Sequence, residues 1–212
     1  MQIVARKLLL ALTLAPAFAV ITTTGCAHLP ENALGVPVVE QAADYSCGPA
    51  TLLAVLRYWG KKVACEQDLY APLHTTAKDG TEPDKLAEVA RQHGLRADYR
   101  VGATVGDLRA ALASGTTVIL DLQAWRDKPI PWRDDWDDGH YIVLVAIEGD
   151  RLYAMDPSAD DGFSWLGLGE FEERWHDFEL HDGQRRNLQH LAVFIAGDAH
   201  VSARGGRPEK LR

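Results

Sequence analysis

Near Thr116 the apolar residues of this 212-residue chain change their spacing, and few architectures accommodate such a change. Upstream they recur at helical intervals. Leu52, Leu53, Val55, Leu56 and Trp59 form one stripe, opened at Gly48-Pro49 and closed by Gly60, so Cys47 falls at a helix N-terminus. A second helix is bounded by Thr81 and Gly94, with Pro83 in its first turn and Leu86, Val89 and Ala90 on one side. Thr104 to Asp107 reads as a capping box, with Asp in place of the usual Glu or Gln. It opens a third helix with Leu108, Ala111 and Leu112 inward, and Gly115 is its stop. Downstream, TTVILDL, HYIVLVAI, RLYAM and LAVFIA are short β-branched or aromatic runs bounded by Gly, Asp and Pro, the marks of an antiparallel sheet. Helices first and strands later predict an α+β domain whose N-terminal helical half packs on a C-terminal sheet. A tryptophan-rich acidic loop, WRDKPIPWRDDWDDG, joins the first two strands; its tryptophans suit substrate contact or packing equally.

The two ends read differently from the middle. Arg6 and Lys7 precede LLLALTLAPAFAVI, a charged start and an apolar stretch too short to span a bilayer comfortably, so residues 1–25 are expected to be an export signal. Two cleavage readings stand: after Ala17-Phe18-Ala19, or at Thr23-Thr24-Gly25-Cys26, a lipobox-like run that would put a lipid on Cys26. Either places the protein outside the cytoplasm. The second predicts a periplasmic lipoprotein held at the outer membrane. Residues 26–36 read as a linker, 37–198 as the folded domain, and 199–212 as a disordered tail. A net charge of -8 offers no phosphate-tracking surface, which argues against nucleic acid as a partner. No Cys-x-x-Cys or His-x-x-x-His set suggests a metal, and no cofactor motif is expected.

With Cys26 anchored or cut away, Cys47 and Cys65 remain. In an oxidising compartment such a pair forms a disulfide by default. Cys65 on its own reads as a small buried hydrophobe. A bridge would silence any chemistry at Cys47, and the expectation is that the two lie too far apart to join.

The case for chemistry rests on a constellation. His140 opens the strand Tyr141 to Ile147, and Asp156 closes the next. An even separation between them allows one shared face only if the hairpin loop has an odd number of residues, expected as Glu148, Gly149 and Asp150. Asp156 would then oppose Ile142, within reach of His140. A helix N-terminus and a nearby imidazolium both favour a thiolate, making Cys47 an activated nucleophile with His140 as its base and Asp156 fixing the ring. The Cys47 N–H and the Gln41 side-chain amide supply oxyanion donors. His74, His93, His176, His181 and His190 are read as surface or capping residues.

The residues Q-x5-C-G-P-A, DGTEPDKLAEVARQHGL, HYIVLVAI, DPS and EFEERW, in that order from Gln41 to about Trp175, resemble the papain-like bacterial cysteine peptidases of the double-glycine leader family. The resemblance implies a papain-like two-lobed fold and a peptide or protein substrate. It assigns Cys47 as nucleophile, His140 as base, Asp156 as orienting acid and Gln41 to the oxyanion hole. The chain departs from exporter-linked members in lacking a phosphate-binding loop and in starting with an export signal. Cleavage after a Gly-Gly leader is therefore not the expected native reaction; maturation of a secreted or surface protein fits better. Peptidyl transfer by the same residues and peptide binding without turnover are the alternatives.

Overall fold

The structure is a computed structural model that describes residues 28–126, 128–181, 184–203 and 206–212. The expected export signal and Cys26 lie outside these residues. Helix α1 (Cys47–Tyr58) is followed by a short α2 (Gln67–Tyr70), α3 (Pro83–Gln92), strand β1 (Arg96–Arg100) and α4 (Val105–Ala113). Then come β2 (Thr117–Gln123), β3 (Gly139–Glu148), β4 (Arg151–Met155), β5 (Phe163–Gly167), α5 (Leu168–Arg174), the hairpin β6 (His176–His181) and β7 (Gln184–Gln189), β8 (Ala192–Ala196) and β9 (Glu209–Lys210). Seven strands form one sheet in the order β1-β8-β2-β3-β4-β5-β9, antiparallel except at β5–β9.

Alternation along the central strands builds two cores. Ile119, Tyr141, Val143 and Val145 face α1 and α3, while Val118, Leu120, Leu122, Ile142 and Leu144 face α4 and α5. The α+β class expected from the sequence is the observed one. The three early helices do not share a side, however: Leu108 and Ala111 of α4 pack on the face opposite α1. The reason is β1, which the sequence reading missed. RADYR alternates without an apolar face (its side chains are half-buried or exposed), yet it closes the sheet edge against β8 and carries the chain across.

Helix α1 is buried nearly all round, with Arg57 the exposed exception. The stripe read from the sequence underestimates this because Ala50, Thr51 and Ala54 are buried as well. A helix enclosed on all sides is a rigid mount, and each of Leu52 and Leu56, fully buried, contributes about 1.5–3 kcal/mol by leaving water.

Both expected end segments require correction. Leu34 N–H bonds Val145 O and Val36 is buried, so the supposed linker already packs on the core. The tail is ordered where it is described: Ala203 N–H bonds Gly35 O, Glu209–Lys210 adds β9 beside β5, and Leu211 is buried. Its anchor is Arg174, wholly buried, which donates to the carbonyls of Gln123, Leu211 and Arg212. Composition alone could not reveal a cation waiting inside the domain for those carbonyls.

Candidate active site

Cys47 is the first residue of α1, and Ser46, the N-cap, makes no side-chain capping bond. No acidic residue occupies the first turn. The positive end of the helix therefore lies at Cys47 with no side-chain cap on its leading N–H groups. Cys47 is half-buried and Cys65 exposed, and neither is in a disulfide. The reading of Cys65 as a buried hydrophobe does not agree with this.

His140 on β3 and Asp156, the residue after β4, meet, though not by the expected route. The hairpin turn holds two residues, Gly149 and Asp150, since Glu148 pairs with Arg151. A regular ladder from that turn would put the imidazole and the carboxylate on opposite faces. A β-bulge between Leu144 and Ala146 takes up one residue: Ala146 pairs with Tyr153, but Leu144 pairs with Ala154 and Val143 with Met155. Continued by one residue, the register sets Asp156 opposite Ile142, the relation first expected from a three-residue loop. The flip shows in the packing, where Val145 and Ala146 lie in the same core although adjacent in sequence.

His140 Nε2 lies 2.8 Å from Asp156 Oδ1, with the two side chains 1% and 4% exposed. Ser158 reinforces the carboxylate through its backbone N–H at 2.9 Å and its hydroxyl at 2.8 Å, both donated to Oδ1. Burial alone would push Asp156 up, but the charge of His140 and these hydrogen bonds bring it down to about 2. Burial likewise pulls His140 down; the charge and hydrogen bond of Asp156, with Cys47 adding to both, raise the ring to about 9. At neutral pH the ring is a cation beside an anion. Its Nδ1 is buried and forms no closed hydrogen bond among the described residues. Cys47 is the neighbour that acts on the ring together with Asp156. A sulfur nucleophile, an imidazole ring that carries its proton and a carboxylate so arranged can perform nucleophilic attack with proton return.

Gln41 lies in the segment leading into Cys47. Its backbone N–H bonds Pro157 O at 3.0 Å, tying this segment to the Asp156 turn. One amide hydrogen goes to Ala43 O at 3.1 Å, leaving a second Nε2 hydrogen for a ligand.

Other residues surround this centre. Trp125, the first tryptophan of the acidic loop, sets its ring 4.6 Å from that of His140 and holds a left-handed φ of 49°. Trp132 instead lies buried beneath Arg174, and Trp136 packs on His176. His176 is itself buried, with Nε2 bonded to Asp135 O, so its expected surface role is wrong. Opposite Tyr141, Asp121 is buried near Asp177; burial, with the charge of Asp177 adding to it, pushes Asp121 well up, and burial raises Asp177. Of these residues only Ser158 left a legible sign, a hydroxyl two places after an aspartate, the spacing of a local turn bond. A small cavity of about 30 Å³ adjoins His140 and Asp156, walled by Trp125, Ser158 and residues 209–212.

Comparison with known proteins places the chain in a family and a fold. The family described as Peptidase_C39 like matches residues 33–180. An uncharacterized protein of Methanothermobacter thermautotrophicus is 30% identical over 121 residues, covering 57% of this chain and 71% of that one. Among solved structures, a putative C39-like peptidase from Bacillus anthracis superposes with a TM-score of 0.60 at 16% identity, over 79% of this chain and 98% of its own. A double glycine motif protease from an AMS/PCAT transporter, in complex with the leader peptide, gives 0.54 at 20% identity, over 78% and 94%. Both share the fold.

Proposed function

Since the chain belongs to the Peptidase_C39 like family and is a cysteine peptidase, we propose that Cys47, His140, Asp156 and Gln41 carry out its reaction. The observation that supports this most is the buried 2.8 Å bond from His140 Nε2 to Asp156, which leaves Nδ1 for the thiol. Cys47 Sγ attacks the carbonyl carbon of the scissile bond, and the proton it gives up resides on Nδ1. The tetrahedral oxyanion takes hydrogen bonds from the Cys47 N–H and the free Nε2 hydrogen of Gln41. On collapse the C–N bond breaks, Nδ1–H protonates the leaving amine, and a thioester remains on Cys47. Water, giving its proton back to Nδ1, then hydrolyses the thioester.

The substrate in this reading is a peptide or protein, in keeping with the leader peptide bound by the AMS/PCAT relative. Export by residues 1–25, with Cys26 as a lipid anchor to the outer membrane, belongs to the same proposal and would direct the enzyme to secreted or surface proteins. Peptide-library profiling under reducing conditions, with Cys47→Ala as control, tests it. Cleavage that needs Cys47 is expected; joined rather than cut products would assign peptidyl transfer, and no turnover at all would reject the reading.

A further inference from the structure

Gln41 and Cys47 are joined by five residues of irregular chain, and a catalytic donor on such a segment works only if something outside it holds the segment still. The holder is a single carboxylate oxygen. Glu66 Oε1, from the N-cap of α2, accepts the Ala42 N–H at 3.0 Å, the Ser46 hydroxyl at 2.9 Å and the Tyr70 hydroxyl at 2.7 Å. Two of these three donors belong to the segment itself, one directly after Gln41 and one directly before Cys47.

The rest of the segment is fastened around that grip. Ala43 N–H bonds Ser46 Oγ at 3.0 Å, and Ser46 N–H bonds Ala43 O at 3.0 Å, closing a turn. Gln41 Nε2 also donates to Ala43 O. The one Ser46 hydroxyl proton has Ala43 O, also at 2.9 Å, as its alternative acceptor, and the charged oxygen is the stronger of the two. Tyr70, edge-on to Tyr45 at 6.1 Å, closes the outer side.

Glu66 is only 5% exposed and makes no ion pair among the described residues, and its Oε2 is buried without a hydrogen-bond partner. A buried carboxylate with no counter-charge is costly to keep. An apolar residue would fill the space more cheaply but could not hold the Ala42 N–H and the Ser46 hydroxyl.

We propose that Glu66 is a positioning residue for the oxyanion hole, fixing the Gln41 amide and the Cys47 N–H relative to one another through Ala42 and Ser46. It touches no substrate. The inference rests on the proposed roles of Gln41 and Cys47.

The test compares two reactions of the reduced full chain. In acylation by p-nitrophenyl acetate, Cys47 Sγ attacks the ester carbonyl, the C–O bond breaks and p-nitrophenolate leaves; an oxyanion forms on the way. Iodoacetamide alkylation displaces iodide at the same sulfur with no oxyanion. Glu66→Ala is expected to slow acylation roughly tenfold or more while alkylation stays within about twofold. Glu66→Gln, which keeps an oxygen acceptor, should recover most of the acylation rate. On a Gln41→Ala background, Glu66→Ala should cost far less than it does alone, because both act on one hole.

Equal slowing of both reactions by Glu66→Ala, or full additivity with Gln41→Ala, would overturn the inference, since a merely structural role predicts either. Wild-type protein that is acylated in this pattern but cleaves no peptide would reject the peptidase proposal and leave this inference standing. Wild-type protein not acylated at Cys47 would overturn both.

Discussion

Replacing Asp156 by Asn isolates the electrostatic core of the site. The substitution keeps the shape and an acceptor oxygen for His140 Nε2 and Ser158 while removing the charge. His140 is raised to about 9 from an ordinary value of 6.5, and at about 1.36 kcal/mol per pKa unit that elevation corresponds to ~3 kcal/mol of preference for the charged ring. Burial is the largest single influence on this ring and acts downward; the Asp156 charge is the main force against it. Without that charge only the hydrogen bond to the Asn oxygen and Cys47 are left to oppose burial, and the His140 midpoint should fall below about 7. NMR titration of the imidazole nitrogens from about pH 5 to 10 measures it directly. Stability carries the same signature. Because the folded value lies above the unfolded one, the contribution is complete below about pH 6.5 and is lost as pH climbs through about 9. Denaturant melts of the wild type should therefore weaken over that window, and those of Asp156→Asn should not. A variant midpoint within half a unit of the wild-type value would refute the assignment of Asp156 as the source of the shift.

Other expectations concern the frame around the site. A Cβ on Gly139 would lie 2.0 Å from Asp177 Oδ2, so Gly139→Ala must displace a carboxylate that Gln123 and the Phe178 N–H hold; a loss of about 1–3 kcal/mol is expected in urea melts. Removing residues 209–212 strips the buried Arg174 of two carbonyl acceptors and should lower stability by ~2 kcal/mol or more, read as a reduced Tm. Leu52→Ala, at a fully buried position of α1, is expected to cost about 2–5 kcal/mol in the same melts. Stability should also fall as pH drops from about 4 toward 2, because protonation of Asp156, whose folded value is held at about 2, ends its hold on His140.

What could be read without coordinates was what local chemistry controls. The Thr104–Asp107 capping box forms as written, with both reciprocal bonds, and α1 begins at Cys47 as its Gly-Pro break suggested. The pairing of His140 with Asp156 was reached through an incorrect loop. Two-residue turn plus bulge and three-residue loop give the same parity, and a bulge leaves no residue-type signature in an apolar run such as IVLVAI. Residues whose meaning depends on distant partners were not legible. Glu66 looks like a surface acid until Ala42 and Ser46 are brought to it, and Arg174 looks solvated until the tail covers it. The Asp121–Asp177 pair joins residues from β2 and β6, which no local pattern connects. The charge and composition of residues 199–212 spoke for disorder, and the partners that order them lie across the fold.

The central claim is that the fold makes Cys47 reactive through His140, and competitive labelling measures this most directly. Reduced protein is treated with limiting iodoacetamide at about pH 6, where an unperturbed thiol near 8.5 is almost wholly protonated, and adducts are located by mass spectrometry of the digested chain. Accessibility alone favours Cys65, which is exposed while Cys47 is half-buried. Preferential modification of Cys47, abolished in His140→Ala, is the predicted result. Labelling that follows exposure, with Cys65 modified first and His140→Ala indistinguishable from wild type, would contradict it.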